Sequence, residues 1–228
     1  MSTADKLLTV AQNVEKVYNA GLEKGKAQGG GVSPANYSSV LQFINDDWAE
    51  SEDVVLDFPN LNDIYYNFFS GVECKKIKTL TVKSQTPIKR AVNAFTGKVS
   101  PTGEKLEKLI LYMDFSICTN FANFCNTRSK LKYIEGTPID FSSATGIGSL
   151  FKYSGNLQSF RVAEESIKVN IDLGANSLLD ADTIQSVIDG LADMTGGDAK
   201  TLALHADVKA KLTETQLATI TGKNWTVA

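Results

Sequence analysis

From residue 61 onward the chain repeats one pattern imperfectly: an aromatic position, a polar turn, then apolar-x-x-apolar-x-apolar. The apolar triplets are Ile77/Leu80/Val82, Leu106/Leu109/Leu111, Leu131/Ile134/Gly136, Leu157/Phe160/Val162 and Ala199/Leu202/Leu204, with leading positions 29, 25, 26 and 42 residues apart. Alternation at the last two positions of each triplet predicts a short strand with one buried face. Phe69, Phe95, Phe124 and Phe151 stand 8, 11, 7 and 6 residues ahead of the triplets, and Leu191 takes that place in the fifth unit. Each predicts a helical patch packed behind its strand. Because no such unit buries its apolar side alone, the units must stack, giving a parallel sheet backed by helices. The long spacing marks an insertion after Val162, with a strand-like run Ile167-Lys168-Val169-Asn170-Ile171. A helix over 179–194 follows, capped by Asp180 or Asp182 and ended by Gly196-Gly197. A half-unit of Leu217, Ile220, Trp225 and Val227 closes the chain.

Upstream, residues 1–24 read as a helix in which Leu7, Val10, Val14 and Val17 fall at a and d positions for two heptads, a seam for self-association. Leu7, Ala11, Val14 and Tyr18 fit an amphipathic helix docked on a partner as well. Residues 25–36, with Gly29-Gly30-Gly31, form a Gly-rich linker. Residues 37–60 form an N-terminal cap, holding a helix over 37–48 and the strand Val54-Val55-Leu56-Asp57-Phe58, and 61–228 are the repeat domain.

Composition narrows the partners. Lys+Arg of 23 against Asp+Glu of 26 leaves a net charge of −3, too small an imbalance to favour nucleic acid or an anionic membrane. No apolar run approaches the ~20 residues of a membrane span. The opening Met1-Ser2-Thr3-Ala4-Asp5-Lys6 lacks the basic and apolar regions of a secretory signal. Cys74, Cys118 and Cys125, an odd number without CxxC spacing, predict buried thiols and neither disulfides nor a metal site.

The stretches Phe124-Cys125-Asn126-Thr127-Arg128-Ser129-Lys130-Leu131-Lys132-Tyr133-Ile134 and Phe151-Lys152-Tyr153-Ser154-Gly155-Asn156-Leu157-Gln158-Ser159-Phe160 resemble the irregular leucine-rich repeats of the BspA type. Those repeats are known in bacterial surface proteins and in proteins of phages. The resemblance spans residues 61–228, and two features depart from it: unit length varies, and the asparagine ladder of regular leucine-rich repeats is missing. Lys6-Leu7-Leu8-Thr9-Val10-Ala11-Gln12-Asn13-Val14-Glu15-Lys16-Val17-Tyr18 also resembles the opening of structural-module proteins in phage genomes.

Together the resemblances imply an α/β fold, a short irregular leucine-rich-repeat solenoid preceded by an N-terminal helix. They imply a non-enzymatic virion protein of a tail fibre, baseplate or other appendage, without cofactor. The helix would attach to other virion proteins and the repeats would meet a host-surface protein or glycan. A homo-oligomer is expected, a trimer by analogy with fibres. A capsid-associated head fibre or decoration protein and a bacterial cell-surface adhesin are the alternatives.

Candidate chemistry is sparse. His205 is the sole histidine, with no nucleophile at a recognisable spacing. Asp180, Asp182, Asp189 and Asp193 lack the calcium-loop register, Gly146-Ile147-Gly148 lacks the rest of a phosphate loop, and nothing pairs Glu164-Glu165 with a second acid. Lys75, Lys76, Lys78 and Lys83, with Lys89 and Arg90, read as a charged sheet face. Most aromatic rings should be core, and Tyr65, Tyr66, Tyr112, Tyr133 and Tyr153 are the candidates for a binding surface.

Overall fold

A computed structural model of the chain describes residues 52–58, 61, 64, 71 and 73–228. The expected helices over 1–24 and 37–48, the linker, the seam of Leu7, Val10, Val14 and Val17, and Tyr65, Tyr66 and Phe69 lie outside those residues.

The architecture is α/β, built on two parallel sheets. In the first, β1 (Asp53–Phe58), β2 (Thr79–Ser84), β3 (Lys108–Tyr112) and β4 (Tyr133–Gly136) lie side by side in chain order. Val54, Leu80, Leu109 and Ile134 are direct neighbours across them. Ile134 donates its N–H to Ser159 O at 2.8 Å, so Phe160 continues the row without a full strand forming. All five side chains are buried, as the alternation requires. Asp53–Phe58, assigned to the cap from sequence, is thus the ladder's first strand.

At Phe95, Phe124 and Phe151 the expected helical patches are not helices but turns that hydrogen-bond from unit to unit. Asn93 N–H reaches Ala122 O at 2.9 Å, Asn123 N–H reaches Gly148 O at 3.0 Å, and Phe95 N–H reaches Phe124 O at 2.8 Å. Asn93, Asn123 and Ser149 stand at one position of successive units, with φ of 54°, 56° and 56°. A left-handed residue there stops helical winding and turns the next amides toward the neighbouring unit. Between this turn ladder and the sheet runs a stack of rings. Phe124 meets Phe95, Phe115 and Phe121 with centroids 5.3, 5.7 and 5.8 Å away, and Phe121 meets Phe141 at 4.8 Å. Gly136 ends β4 at φ 98°, where a Cβ would stand 2.3 Å from Leu111 O, so no other residue fits the approach.

A buried polar column holds the units in register. Arg128, 1% exposed, pairs with Glu104 at 3.1 Å, donates Nε to Phe95 O at 2.7 Å and lies 3.7 Å from Cys74 Sγ. In the next unit Ser154 Oγ accepts from Arg128 N–H and donates to Cys125 O, and Asn176 Nδ2 then donates to Ser154 O at 3.0 Å.

After residue 162 the arrangement changes. α1 (Ala181–Gly190) lies along the open edge, where Thr183 Oγ1 accepts from Phe160 N–H and Ser186 Oγ from Val162 N–H. These are donors a sixth strand would have taken. The triplet Ala199/Leu202/Leu204, expected beside Leu157/Phe160/Val162, therefore lies elsewhere. Its Leu202 and Leu204 fall in β6 (Lys200–Leu204), between β5 (Ile171–Leu173) and β7 (Trp225–Val227) of the second parallel sheet, with Ala199 just ahead of the strand. α1 starts at its expected Asp180 cap. It stops at Gly190 instead of Gly196, because Leu191 is drawn into a parallel bridge with Ile167. Two further helices follow, α2 (Ala206–Lys209) and α3 (Glu214–Gly222).

Candidate functional site

Strand alternation that buries one face of the first sheet turns the other outward, and register sorts that face into columns. One column holds Asp53, Thr79, Lys108 and Tyr133, the next Val55, Thr81, Ile110 and Glu135, and the third Asp57, Lys83 and Tyr112. Lys83 lies over the Tyr112 ring at 5.7 Å and Lys108 over Tyr133 at 5.6 Å, each across a single strand gap. Lys108 also pairs with Glu135 at 2.8 Å. Just before the strands, Glu52, Lys78, Glu107 and Lys132 alternate in charge, with ion pairs of 2.7 Å for Lys78–Glu52 and 3.0 Å for Lys132–Glu107. The hydrogen bond and charge of Lys132 hold Glu107 below its ordinary pKa, and Glu52 raises that of Lys78 in the same way. The basic patch read from the sequence is thus partly neutralised on site.

Of the aromatic candidates, Tyr112 and Tyr133 share the outward sheet face, Tyr112 exposed and Tyr133 half-buried. Tyr153 is 64% exposed but sits on the turn ladder, with Lys152 at 5.2 Å from its ring. The five were proposed for one surface; the described ones occupy two.

At the C-terminal ends of the first sheet's strands lies an open groove of about 450 Å³. Tyr112, Asp114, Thr137, Pro138, Asp140 and Ala163 line it over a floor that includes Met113 and Phe115. The two acids occupy the same place in successive units: Asp114 Oδ1 accepts from Ser116 N–H and Asp140 Oδ1 from Ser142 N–H, both at 2.8 Å. Such turns aim a carboxylate by fixing it to its own backbone. Sequence reasoning missed this groove, although Asp114-Phe115-Ser116 and Asp140-Phe141-Ser142, 26 residues apart, were its signal.

The remaining candidates have local roles. His205 is the N-cap of α2, its Nδ1 accepting from Asp207 N–H at 3.2 Å. Asp180 caps α1, Asp189 accepts from Gln185, and Asp193 accepts from Thr195 N–H, which lowers its pKa. Gly146 pairs with Asn120 in the turn ladder, and Glu165 sits at φ 51° in an exposed turn. Among the described residues no group of three or more His, Cys, Asp or Glu could hold a metal ion, and no helix is long and apolar enough to cross a membrane. All three cysteines are free and buried, and burial pushes the Cys74 thiol up to about 11 and raises that of Cys125 as well. Thiols held in that form are poor nucleophiles.

No protein-family model, curated protein or solved structure matches the chain.

Proposed function

We propose that this chain is a non-enzymatic attachment protein, a short irregular leucine-rich-repeat solenoid of the BspA type, carried on a phage particle in a tail fibre, baseplate or other appendage. Its repeats recognise a protein or glycan on the host surface, and the N-terminal segment, through Leu7, Val10, Val14 and Val17, joins it to other virion proteins as a homotrimer. The observation that carries the recognition reading is the register of the first sheet. Val54, Leu80, Leu109, Ile134 and Phe160 bury against one another, unit on unit, and the opposite face carries Tyr112, Tyr133 and paired charges on either side of the column Val55, Thr81 and Ile110. That is a surface suited to contact over an area. The phage setting rests on the resemblance of the repeats and of residues 6–18.

Mass spectrometry of purified particles tests the setting: the chain is expected in fixed copy number per particle, and its absence overturns the virion reading. Labelled full-length chain added to host cells tests recognition. Saturable binding is expected, and binding no greater than that of an unrelated protein of similar charge overturns it.

A further inference from the structure

We propose that the groove at the strand ends of the first sheet is a subsite for a neutral saccharide, which deepens the attachment reading above and rests on it. Three features of the groove point to that chemistry. Tyr112, 51% exposed, gives one wall an aromatic ring, which Lys83 approaches at 5.7 Å from the centroid. A sugar ring has one face of C–H groups, which the negative face of an aromatic ring attracts, and a rim of hydroxyls. The rim needs acceptors and donors held in place. Asp114 and Asp140 supply the acceptors: Oδ1 of each is fixed by its turn, and the second oxygen of each takes no hydrogen bond among the described residues. Thr137, exposed beside them, adds a hydroxyl able to donate or accept.

Charge and shape exclude the competing ligands. Two carboxylates line the groove with no lysine or arginine among the lining residues, and the single Lys83 beside Tyr112 does not balance both, so a sialylated or uronate-bearing chain is disfavoured. Two carboxylates fall short of the six to eight oxygens roughly expected around calcium. A compact ammonium would leave the tyrosine wall and the floor of Met113 and Phe115 uncovered. The volume, about 450 Å³, falls in the ordinary range of small-ligand sites. Because Asp114 and Asp140 recur with the repeat, the ligand most at home is one whose own units repeat, an oligosaccharide laid across the strand ends.

The test uses the full-length chain on an array of neutral, acidic and amino-sugar oligosaccharides, followed by titration of the best neutral one. Neutral glycans should bind best. Tyr112→Ala and Asp140→Asn should each weaken them at least tenfold, whereas Lys152→Ala on the turn ladder should leave binding unchanged. Asparagine preserves the backbone-fixing turn, so Asp140→Asn separates lost acceptance from lost fold, and an unaltered circular-dichroism melt confirms it. Preference for acidic or amino-sugar glycans overturns the proposal, as does neutral binding indifferent to both groove variants. If no glycan binds while cells stripped of surface glycans still capture the chain, this inference falls and the attachment reading stands on a protein receptor. If neither glycans nor cells capture it, both fall.

Discussion

The two halves of the molecule solve one packing problem differently. Between residues 53 and 162, strands stack on one side of the units and hydrogen-bonded turns on the other, around a core of phenylalanines. Between 163 and 228, α1 covers the edge where the strands ended, and α3 packs on α1 through Gln216 and Gln185. The strands there belong to a separate sheet, and the largest buried ring is Trp225, whose Nε1 donates to Ala192 O. The first half takes turns where Asn93, Asn123 and Ser149 enter the left-handed region. The second takes helices where Asp180 and the Thr213–Gln216 capping box satisfy the first amides. A return segment is thus a turn where a left-handed residue meets the carbonyls of the next unit and a helix where a capping side chain satisfies its first amides, while the strands on either side stay parallel.

The largest expected effect comes from the residue that ties the first half together. Arg128→Ala would leave the Glu104 carboxylate buried without its partner, at a cost of roughly 3–5 kcal/mol, a large part of the roughly 5–15 kcal/mol that holds a domain folded. Arg128→Met with Glu104→Leu should recover most of it, because an apolar pair carries no desolvation cost. The half affected can be read directly, since all three cysteines lie in the first half and Trp225 in the second. In a Trp48→Phe background, the Arg128→Ala chain should expose its thiols to a disulfide reagent at lower denaturant than it shifts Trp225 fluorescence. Coincident transitions would mean that the two halves open as one unit.

A middling effect comes from exchanging the local signals. Asp180→Ala and Thr213→Ala each remove a helix cap and should cost about 1 kcal/mol in the second half alone. Asn123→Ala removes the short polar side chain that eases the left-handed φ of 56°, and with it the bond accepted from Asn126, and should cost about 1–2 kcal/mol in the first half, with Asn123→Gly tolerated. Denaturant titrations with the same two probes should assign each loss to its half. An Asn123→Ala chain as stable as the original would remove the left-handed residue as the reason for the turns.

How much of this was readable follows from the range of each cause. The strands were legible because burial alternates over a few residues: Leu80, Leu109 and Ile134 announce their face without help from afar. The cap at Asp180 was legible because capping acts within one turn. The turns were misread as helices because Phe95 and Phe124 fit a helix face equally well. Only the neighbouring unit, offering Ala122 O and Gly148 O, makes the left-handed path worthwhile. The end of α1 was set by Ile167, some twenty residues away, and the second sheet by hydroxyls of α1 filling an edge. Of the candidate surface, Tyr112 was legible as an exposed aromatic. The groove beside it was not, because its acids read as ordinary turn residues until stacking brought two of them together.

The smallest effect concerns how each half responds to acid. Glu107 in the first half and Asp193 in the second both have depressed pKa values in the folded chain, the first chiefly through Lys132 and the second chiefly through Thr195 N–H. A carboxylate whose folded pKa is lowered contributes stability that is present above its unfolded pKa and is lost as pH falls through the folded one. Both halves should therefore lose a little stability as pH falls through the ordinary carboxylate values, about 4, and on through the lowered folded ones. The causes differ in salt sensitivity. An exposed ion pair is screened within about 10 Å at 0.1 M salt, whereas a bond to an adjacent backbone amide is much less so. Glu107→Gln should flatten the acid limb of Tm at low salt and do little at high salt; Asp193→Asn should flatten it similarly at both. If the two variants respond to salt alike, the alternating charges beside the first sheet are solvated singly and the register rests on the buried Arg128 column alone.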